Sequence, residues 1–175
     1  PEVVETYLDE QKTIAAIDIQ AEILSSYERD MTKYADNGLS NRIISAFDSI
    51  PVQLAKENQK FQYKVISKGG TSSIFGEAIL WLKNSGIVNQ IYRVKPEIPL
   101  EMHKDLTSFK LYMSDVGIFV NKARYPLYQI DLNTQPTMIS MGPLTEHYVA
   151  NELRIKGYDA YYWKSDGKAE IDFII

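Results

Sequence analysis

The sequence of 175 residues contains no cysteine. This absence excludes disulfide bonds, zinc–thiolate sites and cysteine nucleophiles, and it permits a reducing compartment. The sequence also lacks an apolar run approaching the roughly 18 residues that a membrane-spanning helix requires. No signal-peptide pattern precedes the first predicted helix. We therefore expect a cytoplasmic protein that makes no contact with a membrane.

Positive charge is also scarce, because 19 Lys and Arg residues face 23 Asp and Glu residues and leave a formal net charge of −4. Nucleic-acid-binding domains usually carry a basic balance, so any contact with DNA must come from a local patch. Apolar residues make up 45% of the chain, which is typical of a folded protein with a core. The length suits one domain or two small ones.

The motifs of several enzyme classes are missing. The chain contains no G-x-x-x-x-G-K-[ST] sequence, the loop that cradles nucleotide phosphates, and the run at 69–73 has glycines and hydroxyls but no lysine in register. The two histidines, His103 and His147, are too few and too scattered for a metal site. No Ser/His/Asp arrangement is evident. The sequence therefore contains neither the phosphate-binding loop that nucleotide hydrolysis needs nor a Ser/His/Asp triad.

The spacing of apolar residues predicts an α+β protein. An amphipathic helix is predicted to end at Asn37-Gly38, and a second, beginning at Ser40, is predicted to break at Pro51. From Ser40 to Met113 the order is helix, short helix, helix, strand, turn, strand, which is typical of a winged-helix module. We therefore predict a helical linker at 1–39 and a winged-helix-like module at 40–114.

A helix and a hairpin are predicted in the last segment, 115–175. Pro143 suits the start of the helix and Gly157 its end. The Asp166-Gly167 pair predicts a hairpin turn, and the returning strand stops on an apolar run. We expect that this strand belongs to a sheet that continues further, and that the chain is a piece of a longer protein.

Two groups of polar residues are candidates for function. Four lysines recur every four residues and would form one stripe on a helix, where they could meet a phosphate backbone. Two serines at the start of the next predicted helix could add contacts. These six residues are Lys56, Lys60, Lys64, Lys68, Ser72 and Ser73. The alternative is an ordinary solvated surface.

The second group consists of carboxylates. Glu146 is expected in the first turn of the predicted helix, and strand alternation places Glu170 and Asp172 on one side of the last strand. Glu146 would then either complement the helix dipole or point into a site. The two strand carboxylates would either face solvent or join it.

Ten short motifs follow one another along the chain, and their order and spacing together are specific for one family. They are Tyr27–Asp30, Phe47–Pro51, Gln53–Lys56, Trp81-Leu82, Gly86-Ile87, Phe109–Tyr112, Asp115–Gly117, Gly142–Glu146, Tyr162-Trp163 and Glu170–Asp172. On these motifs, nearly the whole chain resembles the C-terminal region of prokaryotic AAA-type ATPases that carry a C-terminal domain of unknown function. The resemblance implies a winged-helix-like part followed by a part similar to PD-(D/E)XK nucleases.

The resemblance also implies partners and ligands. ATP would belong to a nucleotide-binding module that precedes this segment, and Glu146 and Asp172 would hold Mg²⁺ in an intact nuclease-like site, with Glu170 as a further catalytic candidate. The chain departs from the family at both ends, since it lacks the phosphate-binding loop and a later Glu-x-Lys strand. We therefore expect a DNA-binding accessory domain that does not cleave DNA. The alternative is a protein-interaction or regulatory module with a degenerate nuclease-like fold.

Overall fold

The computed structural model describes residues 2–10, 13–33, 36–56, 59–125, 141–167 and 169–175. The helices are α1 Glu2–Glu10, α2 Thr13–Lys33, α3 Asn37–Leu54, α4 Tyr63–Ile66, α5 Ser72–Asn84, α6 Val116–Lys122 and α7 Gly142–Ile155. The strands are β1 Val88–Val94, β2 Lys104–Met113, β3 Tyr161–Lys164 and β4 Glu170–Ile174, and a 3₁₀ helix spans Leu100–His103. The predicted α+β class is confirmed. Within these ranges, no helix is both long and apolar enough to cross a bilayer.

Two predicted helix boundaries, one between α2 and α3 and one inside α3, differ from the structure. Asn37 and Gly38 open α3 instead of ending α2, because Asp36 Oδ1 accepts a hydrogen bond of 2.7 Å from the backbone N–H of Leu39 and caps the new helix. The predicted break at Pro51 is also wrong, since α3 continues to Leu54. Pro51 lies in the last turn of α3, where its missing N–H removes one backbone hydrogen bond and the helix ends three residues later.

The core forms where α3 and α5 meet the sheet. The buried side of α3 carries Ile43, Phe47 and Ile50, all fully buried. These positions follow the 3–4 spacing of an amphipathic helix. Leu82 on α5 packs in the same core. The two helices and the β1–β2 pair therefore share one hydrophobic core.

The four strands form one mixed sheet in the order β2-β1-β3-β4. β1 pairs antiparallel with β2 and parallel with β3, and β3 and β4 form the predicted antiparallel hairpin. The sheet therefore combines strands from both predicted modules, 40–114 and 115–175. The boundary between those modules stays a prediction.

The strand register decides which side chains share a face. On β2, Lys110 lies opposite Ile91, and Tyr162 on β3 lies opposite Arg93, two residues further along β1. On the hairpin, Lys164 lies opposite Glu170. Since side chains two residues apart on a strand point the same way, these side chains occupy one face of the sheet. Helix α7 packs on β1 and β2, where Asn89 donates a hydrogen bond of 3.3 Å to the carbonyl of Ala150.

Candidate functional site

The most unusual polar group of the sheet is the ammonium of Lys110, whose side chain is completely buried. Its Nζ atom lies 2.8 Å from Glu146 Oε1, 2.9 Å from Glu170 Oε1 and 3.3 Å from Asp172 Oδ1. Gln59 Oε1 accepts a further hydrogen bond of 3.0 Å. All three predicted carboxylates thus meet at one lysine, and we name Lys110, Glu146, Glu170 and Asp172 the lysine–carboxylate cluster.

Three separate elements position this cluster. Glu146 lies one turn inside α7, not in its first turn as predicted, because α7 already begins at Gly142. One turn further along, Ala150 is fully buried, so this side of α7 faces the sheet. Glu170 and Asp172 are two residues apart on β4 and therefore point to the same side.

The cluster joins the two edge strands. β2 and β4 are separated by β1 and β3, which at the usual strand spacing places their backbones roughly 14 Å apart in a flat sheet. The right-handed twist and the long lysine side chain close this gap. Between these two strands, the ring of Tyr162 on β3 lies under the ammonium of Lys110, with its centroid 5.1 Å from Nζ. Lys110 therefore links β2, α7 and β4 through a single charged group.

Two further side chains complete the hydrogen bonding. The hydroxyl of the fully buried Tyr112 donates to Oε1 of Glu146, the same oxygen that contacts Lys110. Lys164 Nζ lies 2.6 Å from Oε2 of Glu170. Asp172 is the exception, since its side chain is 58% exposed. The site is therefore sealed on the helix side and open to solvent at Asp172.

The electrostatics follow from this packing. Burial lowers the pKa of Lys110, but the charges and hydrogen bonds of Glu146 and Glu170 outweigh it and hold the pKa above its ordinary value. Burial raises the pKa of Glu170, and its hydrogen bonds to Lys164 and Lys110 bring it below the ordinary value. Burial, followed by the charge of Glu146, raises the pKa of Tyr112 well above 10.0. The lysine stays charged and the tyrosine stays neutral at neutral pH.

The cluster does not fit the Mg²⁺ site that the resemblance implies. Mg²⁺ needs an octahedral shell of oxygen ligands with several waters. Here an ammonium lies among the carboxylates, and Glu146 and Glu170 each offer it an oxygen at hydrogen-bonding distance. Among the described residues, no group of three His, Cys, Asp or Glu side chains is placed to hold a metal ion. The cation of this site is Lys110.

The predicted lysine stripe does not lie on one helix. Helix α4 contains only four residues, so Lys56 lies in the turn after α3, Lys60 in the irregular segment before α4 and Lys64 on α4. Lys68 follows α4 in a turn that leads to Gly70, where an added Cβ would lie 2.2 Å from the carbonyl oxygen of Tyr63. This tight turn ends the helix and breaks the stripe. Lys56, Lys64 and Lys68 are exposed.

The two candidate serines lie at the beginning of α5. Thr71 occupies the N-cap position, Ser72 is the first helical residue and Ser73 is the second. The hydroxyls of Thr71 and Ser73 lie 2.8 Å apart, and both serines are exposed. Three residues separate Lys68 from Ser72, so the lysine segment leads directly into the N-terminus of α5.

His147 has a structural position beside the cluster. It is fully buried, its Nε2–H donates a hydrogen bond of 2.8 Å to the carbonyl of Met113, and its ring stacks on Phe119 with centroids 4.4 Å apart. Burial lowers its pKa to about 4. The histidine is therefore neutral at physiological pH and holds α7 against the end of β2.

Lys110 and Tyr112 were not predicted as functional residues. The sequence does contain a hint, because Lys110 stands between Phe109 and Leu111 in a strand whose last six residues are all buried. A lysine in such a run must find buried partners. The partners themselves are not apparent from local sequence, because they lie 36 to 62 residues away.

The fold and the site thus define an α+β domain whose mixed sheet is fastened by a buried lysine–carboxylate cluster. The family model described as Domain of unknown function (DUF8612) matches residues 1–126, and the chain belongs to this family. A second model, Domain of unknown function (DUF4143), matches residues 141–175. No curated protein and no solved structure matches the chain. Lys110 lies in the first matched region and its three carboxylates in the second.

Proposed function

We propose that the chain is an accessory module of an AAA-type ATPase and that it binds duplex DNA without cutting it. The DUF4143 match supports the parent, since that domain is commonly found in proteins associated with AAA ATPases. The motif resemblance described above points to the same parent. ATP would then bind to another part of that protein, because this chain contains no phosphate-binding loop.

The exposed surface at the beginning of α5 carries the DNA proposal. Lys64 and Lys68 lead into Ser72 and Ser73, whose backbone N–H groups lie in the first turn of a helix of 13 residues. A helix N-terminus with nearby lysines suits a phosphate group, because the dipole and the ammonium charges add. The antiparallel β1–β2 pair follows α5, and we propose that it serves as the wing of the module.

The lysine–carboxylate cluster supports a role without cleavage. A metal-dependent nuclease needs its carboxylates free to bind a cation that activates water. In this chain those carboxylates contact the ammonium of Lys110. We therefore propose that the cluster stabilises the nuclease-like segment. Mg²⁺-dependent nicking of a plasmid by this chain that disappears in Asp172→Ala would contradict this part.

The test of DNA binding compares two double variants that remove the same charge. Lys64→Ala/Lys68→Ala should weaken binding to a short DNA duplex for all sequences alike and lower the salt slope by about two. Lys83→Ala/Lys95→Ala, on a different surface, should leave duplex binding unchanged. Fluorescence anisotropy across a salt series measures both. Equal duplex affinity and slope in the first variant and the wild type would refute the DNA-binding surface.

A second candidate function rests on the open side of α5. Ile74 is 46% exposed and Leu80 55% exposed, and Glu77 lies between them. Apolar side chains on an open helix face suit a protein partner, and the net charge of −4 agrees with that reading. Under this alternative, Ile74→Ser/Leu80→Ser would abolish binding to the ATPase module of the parent, with little dependence on salt. Duplex binding lost in the lysine variant but retained in this one would favour DNA.

A further inference from the structure

Two grooves adjoin each other on the surface around the β1–β2 pair, and Lys104 lines both. The first, of about 450 Å³, lies between the C-terminal ends of α5 and α7 and includes Lys83, Arg154 and Tyr158. The second, of about 480 Å³, lies at the ends of β1 and β2 and includes Lys95 and Trp163. Both volumes are in the range of small-ligand pockets. Together the grooves form a path that passes over Lys104.

The grooves are positive although the chain is acidic. The cationic side chains that line them are Lys83, Arg93, Lys95, Lys104 and Arg154. The carboxylates are Glu101, Asp105 and Asp159. Among the lining side chains, five cations against three anions leave an excess of two positive charges, which Asp166, 4.0 Å from Arg93, reduces to one, whereas the whole chain carries −4. Such an excess attracts phosphate groups.

Each groove also contains an aromatic side chain that is at least partly accessible. The side chain of Tyr158 is 50% exposed, and a helix-terminating motif fixes its backbone. Gly157 N–H donates to the carbonyl of Arg154 and Tyr158 N–H to the carbonyl of Leu153, each at 3.0 Å, with Gly157 at φ +80°. In the other groove Trp163 is half-buried on β3. Each groove therefore presents a ring next to ammonium groups.

We infer that these two grooves bind single-stranded nucleic acid. Unpaired bases stack on exposed aromatic rings while their phosphates contact lysines, and this combination is typical of surfaces that bind single strands. The inference rests on the proposed function in one respect, that the ligand is nucleic acid. It differs from the proposed function in two respects. The surface lies away from Lys64 and Lys68, and the ligand is single-stranded and not a duplex.

Part of this charge has a structural use, which decides the choice of variants. Arg154 lies in the last turn of α7, where it offsets the helix dipole and its Nη1 donates to the carbonyl of Val88 at 3.4 Å. Lys104 is paired with Glu101. Lys83, Lys95 and Tyr158 are exposed. We therefore choose these three side chains for the test.

The first arm tests base stacking with labelled oligo-dT and oligo-rU of about 12 nucleotides, a length that such grooves span. Tyr158→Ala should weaken binding about fivefold or more. Tyr148→Ala is the matched control, because Tyr148 also lies on the surface, 55% exposed, but outside both grooves. Binding of either oligonucleotide with this difference supports the inference. No binding at low salt, or an equal loss in both variants, overturns it.

The second arm measures the binding of two double lysine variants to two probes, a single strand and a duplex. Lys83→Ala/Lys95→Ala should lower the salt slope for the single strand by about 1.4 and leave duplex binding unchanged. Lys64→Ala/Lys68→Ala should show the reverse pattern. If only the single-strand result fails, the groove inference is wrong and the proposed duplex surface stands. If only the duplex result fails, the groove inference stands without it. Urea unfolding of each variant verifies that the fold is retained.

Discussion

The Nζ atom of Lys110 lies 2.8 Å from Oε1 of Glu146, although the two residues are 36 positions apart. Lys110 belongs to the region that matches DUF8612, and Glu146 belongs to the region that matches DUF4143. Both side chains are at least nine-tenths buried. The pair therefore connects the two matched regions, and the loss of the Lys110 charge would leave the Glu146 carboxylate without its counter-ion in the protein interior.

Replacement of Lys110 should be strongly destabilising. In Lys110→Met, Glu146 and Glu170 lose their shared counter-ion, and removal of one partner of a buried ion pair costs about 3–5 kcal/mol. Urea unfolding followed by circular dichroism measures this loss. Lys122→Met is the control, because Lys122 also contacts two carboxylates but their side chains are 38% and 50% exposed. Equal losses in the two variants would contradict the special role of Lys110.

The stability of the cluster should depend on pH at both ends of the scale. The folded pKa of Glu170 is lowered, so its contribution is complete above the ordinary value of 4.5 and is lost as pH falls below it. The folded pKa of Lys110 is raised, so its contribution is complete below 10.5 and is lost above it. Between these limits the free energy of unfolding should show no slope from this cluster.

Glu170→Gln isolates the acidic limb of that profile. The variant should have a lower free energy of unfolding at neutral pH and a weaker decrease below pH 4.5, because the titrating carboxylate is gone. Urea unfolding at a series of pH values measures both effects. A profile parallel to that of the wild type through the acidic range would show that Glu170 is not held in its charged form.

The sequence predicts the secondary structure near this site well and the site itself only in part. The helix from Pro143 and the hairpin at Asp166-Gly167 follow from local rules, since a proline at the beginning of a helix and a tight turn depend on neighbouring residues alone. The central position of Lys110 depends on the strand order β2-β1-β3-β4, which local patterns do not contain. The carboxylates were therefore recognised, and the cation between them was not.

The lysine segment shows a different limit, because its regular spacing gives one stripe only if the whole segment is helical, and the structure shows that it is not. Spacing of four residues from Lys56 to Lys68 satisfies the helical period, but α3 ends at Leu54 and α4 spans only Tyr63–Ile66. The intervening Phe61 instead donates its backbone N–H to the carbonyl of Phe109 on β2, at 2.8 Å. Tertiary pairing with the sheet outweighs the local periodicity.

A separate pH effect should come from His147. Because burial lowers its folded pKa from 6.5 to about 4, the unfolded chain binds a proton in this range and the folded chain does not. The free energy of unfolding should therefore fall by up to about 3 kcal/mol as pH drops from 6.5 to 4. His147→Gln keeps an N–H donor for the carbonyl of Met113 and should lose this slope.

Nuclear magnetic resonance provides the direct measurement for this histidine. The chain contains two histidines, so His103→Gln leaves a single imidazole to follow through the titration. The remaining ring should stay neutral down to about pH 4. A midpoint near 6.5 for His147 would show that its ring is solvated and would remove the expected slope.

Two glycines around the N-terminal end of α5 should respond oppositely to alanine. An added Cβ at Gly70 would lie 2.2 Å from the carbonyl oxygen of Tyr63, a backbone atom that cannot move aside, so Gly70→Ala should cost about 1–3 kcal/mol. At Gly76, inside α5, a Cβ meets no atom within 4 Å, and Gly76→Ala should stabilise the helix by about 0.5–1 kcal/mol. Thermal and urea unfolding measure both changes. Stabilisation by both substitutions would mean that the turn at Gly70 is looser than its contact with Tyr63 implies, and destabilisation by both would contradict the expectation for Gly76.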